Sequence, residues 1–177
     1  MPRKIIAKGK IIGQNVLVEK ESEANSIYQR GFYGQMLKGG QLQMSLIEAI
    51  YLSEKSRLNV KEGKKKIKFE ELLELGKKSD KNIFTKYVAY SDLRERGYLV
   101  KTGFKFGSDF RVYKRGDAPG EAHSPYMVHC VPENYKLTMT ELSRLIRLGH
   151  SVKKIVWIAV VDAEGDLTYY QAKRVKP

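Results

Sequence analysis

The sequence is poor in cysteine, tryptophan and proline, with one, one and five in 177 residues. A lone Cys130 excludes an intrachain disulfide and fits a reducing cytosol. It also leaves little for a metal centre. His129 and Cys130 are adjacent, and adjacent residues of a strand point to opposite faces, so no metal and no cofactor are expected. No apolar run approaches the ~20 residues that cross a bilayer. The N-terminus "MPRKIIAKGKII" is cationic without growing into an apolar signal-peptide core. A cytoplasmic protein without membrane association is the expectation. Acidic residues are the other shortage: 20 Asp and Glu stand against 33 Lys and Arg, a net charge of +13. Such a field favours polyanionic partners, nucleic acid above all. An anionic membrane surface is the competitor, but no basic amphipathic helix with an aromatic face is present.

What is there is enough to fold. Hydrophobic residues make up 42% of the chain, which supports a core and excludes wholesale disorder. Abundant Lys, Glu, Ile and Val point toward a heat-adapted source. "KIIAKGKIIGQNVLVEK" alternates as two short strands around Gly13–Asn15, and "SEANSIYQRG" (22–31) is a short helix stopped by Gly31. "FYGQMLKGGQLQM" reads as a loop with aromatic anchors. Ser45 and Glu48 form a capping box ahead of Leu46, Ile47, Ala49, Ile50 and Leu52. "RLNVKEGKKKIKF" is a lysine-tipped hairpin, and "FEELLELGKKS" (69–79) is a helix with acids first and lysines last.

The polar turn "SDKN" (79–82) is the best boundary, giving an N-terminal domain at 1–80 and a C-terminal domain at 81–177. The second half opens with a helix ended by Gly97, followed by strands at 98–104, 109–115 and 125–131. Thr138 and Glu141 cap a helix, "IVWIAVV" (155–161) is a strand covered on both faces, and "LTYYQAKRV" (167–175) is a closing strand after the turn "DAEGD". The fold class is α+β: an N-terminal α/β domain with a small mixed sheet, then a domain with a central mixed β-sheet flanked by helices.

A basic chain of this kind raises the chemistry of RNA cleavage. The ribose 2′-OH can attack its own phosphate, given a base, an acid for the departing 5′-oxygen and a cation for the crowded phosphorane. His suits proton transfer near neutral pH, Lys supplies fixed charge, and Tyr has a pKa near ~10 and needs help to act as a base. Tyr113 ends a strand, His123 follows a loop built on Gly116, Pro119 and Gly120, and "HSVKK" precedes the buried strand. By spacing alone this pattern is weak.

The ordered stretches "YSDLRERGYLVKTGFKFGSDFRVYKRG", "EAHSPYMV", "LIRLGHSVKK" and "VVDAEGDLTYY" resemble the catalytic domain of the archaeal tRNA-splicing endonucleases. "SLIEAIYLSEKSRLNV" with "FEELLEL" resembles their N-terminal domain, so the likeness covers nearly the whole chain. It implies a nuclease-like C-terminal domain. It also implies metal-independent cleavage of precursor tRNA at bulge–helix–bulge intron boundaries, leaving 2′,3′-cyclic phosphate and 5′-hydroxyl ends. Tyr113 matches the family's general base, His123 its general acid and Lys154 its transition-state cation; a one-residue register error would exchange Lys154 for Lys153. Arg147 best matches, and Arg174 more weakly, the arginines that sandwich a flipped bulge base. The length resembles the short members that assemble as homotetramers, dimers of dimers. There the acidic loop, here Asp162, Glu164 and Asp166, docks into a basic groove of an opposing subunit, and the last strand pairs with its twin.

Two rivals stand beside this. A non-catalytic structural or RNA-binding subunit of a mixed tetramer would not need Tyr113, His123 and Lys154. A metal-dependent nuclease of related fold would need a carboxylate cluster with a nearby Lys; Asp109 and Glu121 are available, but no compact Glu-x-Lys follows.

Overall fold

The computed structural model describes residues 6–103 and 107–177. Lys4 and Ile5 of the expected opening strand, and Phe104 of the expected strand 98–104, lie outside them. The chain forms two compact units, Met1–Tyr87 and Val88–Pro177, divided within helix α4 (Ile83–Glu95).

In the first unit, β1 (Ala7–Ile12) and β2 (Asn15–Val18) make a hairpin that turns at Gly13, whose φ is +60°. Helix α1 (Glu21–Gln29) follows. Its left-handed terminal residue is Phe32 (φ +54°), which donates to the Tyr28 carbonyl, and not Gly31. The stretch expected as a loop contains a hairpin instead, β3 (Gln35–Met36) and β4 (Leu42–Ser45). Leu42 and Met44 are fully buried and alternate with Gln43, a strand pattern too short to stand out behind the Gly39–Gly40 turn.

Helix α2 (Leu46–Glu54) begins at the expected capping box: Glu48 N–H donates to the Ser45 hydroxyl, and Ser45 N–H donates back to the Glu48 carboxylate. The other Glu48 oxygen accepts Gly34 N–H at 2.8 Å, so this buried acid also fastens the approach to β3. Next come β5 (Leu58–Glu62), β6 (Lys65–Ile67) and α3 (Phe69–Ser79). The six strands run in the order β3-β4-β2-β1-β5-β6, with β1 and β5 parallel and the other neighbours antiparallel.

In the second unit, α4 ends in a Schellman cap: Gly97 N–H returns to Arg94 O, Tyr98 N–H returns to Leu93 O, and Gly97 has φ +86°. The strands are β7 (Leu99–Thr102), β8 (Phe110–Tyr113), β9 (Tyr126–Pro132), β10 (Ile155–Val161) and β11 (Leu167–Ala172), with α5 (Met139–Ser151) between β9 and β10. Sheet order is β11-β10-β9-β8-β7, and β9 and β10 are parallel, which requires a crossover such as α5.

Strand alternation sorts the two faces. Met127, Val131, Val156 and Ile158 pack under Leu142, Leu145 and Leu148 of α5. On the opposite face Tyr90 of α4 meets Phe110, and Tyr169 donates to Asp92 at 2.9 Å. The fold is thus α+β, with a mixed sheet in each unit and helices on both faces of the second. No helix among the described residues is long and apolar enough to cross a membrane.

Candidate active site

Because β9 and β10 are parallel, the residues just before them lie side by side at one end of the sheet. Ile155 N–H donates to Pro125 O at 2.8 Å, and Ile155 is the ladder partner of Tyr126. Lys154 reaches this end out of a second Schellman cap. Lys153 N–H returns to His150 O, Lys154 N–H returns to Gly149 O, and Lys153 holds φ +55°. Lys153 is therefore an exposed cap residue and no part of the strand. Lys154 turns inward, where its ammonium donates to the Ser124 carbonyl and, at 2.6 Å, to the Ser124 hydroxyl. Ser124 is buried, and its neighbour His123 is exposed.

Tyr113 closes β8 with only 4% of its surface exposed. Arg111, two residues earlier on the same face, places its guanidinium carbon 5.9 Å from the Tyr113 ring centre. Burial, and then the Arg111 charge, hold the Lys154 ammonium below the ordinary lysine pKa. Lys154 thus contacts the residue that follows His123, and Arg111 lies over the Tyr113 ring while its charge acts on Lys154. The intervening loop is braced by its own backbone: Asp117 N–H donates to Lys114 O, and Ala122 N–H to Ala118 O.

Arg147 and Arg174 are both exposed and line one groove of about 750 Å³ with Met139, Ser143 and Ile146. In the acidic turn, Asp162 is used internally: its carboxylate accepts N–H bonds from Glu164 at 2.9 Å and Asp166 at 2.8 Å. The Glu164 and Asp166 residues are exposed. His129 belongs to a separate cluster. His129 Nδ1 lies 3.4 Å from the Asp109 carboxylate, which accepts Cys130 N–H at 2.8 Å. Asp109 is therefore engaged in sheet structure. Among the described residues no group of three His, Cys, Asp or Glu side chains is arranged to hold a metal ion.

Arg111 and Ser124 escape sequence reasoning. Arg111 is signalled only by its period-two spacing from Tyr113, and Ser124 only by following His123.

The description "tRNA intron endonuclease, catalytic C-terminal domain" matches residues 83–169, and "tRNA intron endonuclease, N-terminal domain" matches residues 7–73. The chain belongs to the tRNA intron endonuclease family. Within the family it is 42% identical over 167 residues to a tRNA-splicing endonuclease of Thermococcus onnurineus, covering 94% of this chain and 95% of that one. It is 38% identical over 170 residues to a tRNA-splicing endonuclease of Methanothermobacter thermautotrophicus, covering 96% and 98%. A tRNA-splicing endonuclease of Methanosarcina mazei is 37% identical over 172 residues, which are 96% of this chain but 48% of that longer family member.

Proposed function

We propose that this chain is a tRNA-splicing endonuclease that opens precursor tRNA at bulge–helix–bulge intron boundaries without a metal ion. The ribose 2′-oxygen attacks the adjacent phosphorus as the bond from phosphorus to the 5′-oxygen breaks. A 2′,3′-cyclic phosphate and a 5′-hydroxyl are left. Tyr113 takes the 2′-hydroxyl proton, His123 supplies a proton to the departing 5′-oxygen, and Lys154 neutralises the phosphorane. The observation that carries this reading is the seating of the Lys154 ammonium against Ser124, next to His123 and within reach of the Arg111 field over Tyr113.

The shared groove of Arg147 and Arg174 supports a role for both in gripping an unpaired bulge base by cation–π stacking. The working form is a cytoplasmic homotetramer, a dimer of dimers whose two distant sites measure the spacing between bulges. Glu164 and Asp166 supply the docking charge, on a turn built by Asp162. The residue 80/81 junction, between α3 and α4, is the proposed domain boundary.

The test is His123→Ala assayed on a bulge–helix–bulge RNA. Cleavage falls by ~10²–10⁴, the range for losing a general acid, and RNA affinity is retained. Unchanged cleavage would remove His123 from the mechanism.

A further inference from the structure

The second unit carries an aromatic patch that the cleavage chemistry does not use. Tyr126 and Trp157 stack with ring centres 4.0 Å apart and planes 20° apart. Tyr98 stands edge-on to both, at 6.5 and 5.9 Å. All three are half-buried, not enclosed. Ile155, on the same face as Trp157 and paired with Tyr126, is 41% exposed. Arg115 is exposed and holds its guanidinium carbon 5.1 Å from the Tyr98 ring centre. The only tryptophan of the chain therefore sits in an open apolar patch rimmed by a cation.

The position is informative. Ile155 directly follows Lys154, Tyr126 lies two residues beyond Ser124, and Arg115 lies two beyond Tyr113. Val112 is the ladder partner of Tyr126 and successive strand residues alternate faces, so Tyr113 lies on the face opposite Tyr126, at the same end of one sheet. A half-buried aromatic cluster that opens to solvent beside an exposed Ile155 is a surface suited to binding. Arg115, with exposed Lys114 beside it on a chain of net charge +13, selects an occupant that is flat and anionic. A single-stranded nucleotide offers both a π-face and a phosphate.

We propose that Tyr98, Tyr126, Ile155 and Trp157, rimmed by Arg115, form a stacking platform for an unpaired RNA base flanking the cut phosphate. It is distinct from the groove of Arg147 and Arg174. The proposal rests on the reading of Tyr113, His123 and Lys154 as an RNA-cleaving site.

Trp157 reports on the platform directly. The full chain is titrated with a bulge–helix–bulge RNA made uncleavable by 2′-deoxy sugars at the two cut positions. Tryptophan emission is followed, and the all-ribose RNA is assayed for cleavage in parallel. Trp157 emission should change saturably and lose that response when the flanking nucleotides are abasic. Arg115→Ala, a substitution at an exposed residue, should weaken RNA binding ~10-fold with unchanged circular dichroism.

Cleavage of the all-ribose RNA with silent Trp157 emission would overturn the platform alone, as would unchanged RNA affinity in Arg115→Ala. Emission that shifts with protein concentration in the absence of RNA would assign the patch to a contact between copies, and also overturn it. A Trp157 response without any cleavage would support stacking and overturn the cleavage reading instead.

Discussion

At the residue scale the account turns on Lys154. In the proposed mechanism its charged form is the one that stabilises the phosphorane, and burial together with Arg111 lowers its pKa. Protonation is lost as pH rises through a lowered pKa, so the alkaline limb of kcat/KM should fall at a lower pH than for an ordinary lysine. Lys154→Arg keeps its charge throughout that range and should move the limb to higher pH, at some cost in rate from the changed fork geometry. Identical alkaline limbs in the two proteins would show that Lys154 ionisation does not limit the reaction. Its neighbour Lys153 makes the opposite kind of prediction. A lysine at φ +55° in a left-handed cap is strained relative to glycine. Lys153→Gly should therefore stabilise the protein by about 1 kcal/mol in denaturant unfolding, without removing cleavage.

At the element scale, α5 is the lever that sets Lys154. Its carboxyl-terminal turn lies against β10 at Gly149, where an added Cβ would come within 2.4 Å of the Val156 side chain and 3.1 Å of the Lys154 carbonyl oxygen. Gly149→Ala should displace the cap and cost ~1–3 kcal/mol, the range for overpacking. Cleavage should fall further than RNA binding; a variant with wild-type stability and rate would show that the contact relaxes freely. Elements of this kind differ in how far they can be read in a sequence. The Ser45–Glu48 and Thr138–Glu141 capping boxes are legible because their partners are three residues apart. The β3–β4 hairpin is not, because its two inward residues Leu42 and Met44 acquire meaning only when β4 pairs with β2. For the candidate site, ordered resemblance is what singles out Tyr113, His123 and Lys154 as the proposed residues. Arg111 and Ser124 are not legible in the sequence, since what singles them out is a cross-strand approach to Lys154. Gly31 looks like a stop signal, yet Phe32 takes the left-handed position.

At the scale of the whole molecule, net charge and the proposed assembly each set an expected outcome. A chain of net charge +13 that grips phosphates should lose RNA affinity steeply with added salt, a linear fall of log K against log salt whose slope counts the phosphates neutralised. A flat dependence would remove the electrostatic contribution. In the proposed tetramer, Glu164→Lys with Asp166→Lys should leave folded dimers that cleave poorly, whereas Asp162 is best left intact because it builds the turn. Intact tetramers on sedimentation would refute docking by this loop. The central claim is cleavage by side chains and substrate 2′-hydroxyl alone, and its most direct measurement is incubation of the pure protein with a bulge–helix–bulge RNA in excess chelator, followed by end-group analysis. The account predicts undiminished cutting at both boundaries with 2′,3′-cyclic phosphate and 5′-hydroxyl ends; cleavage abolished by chelator and restored by magnesium would contradict it.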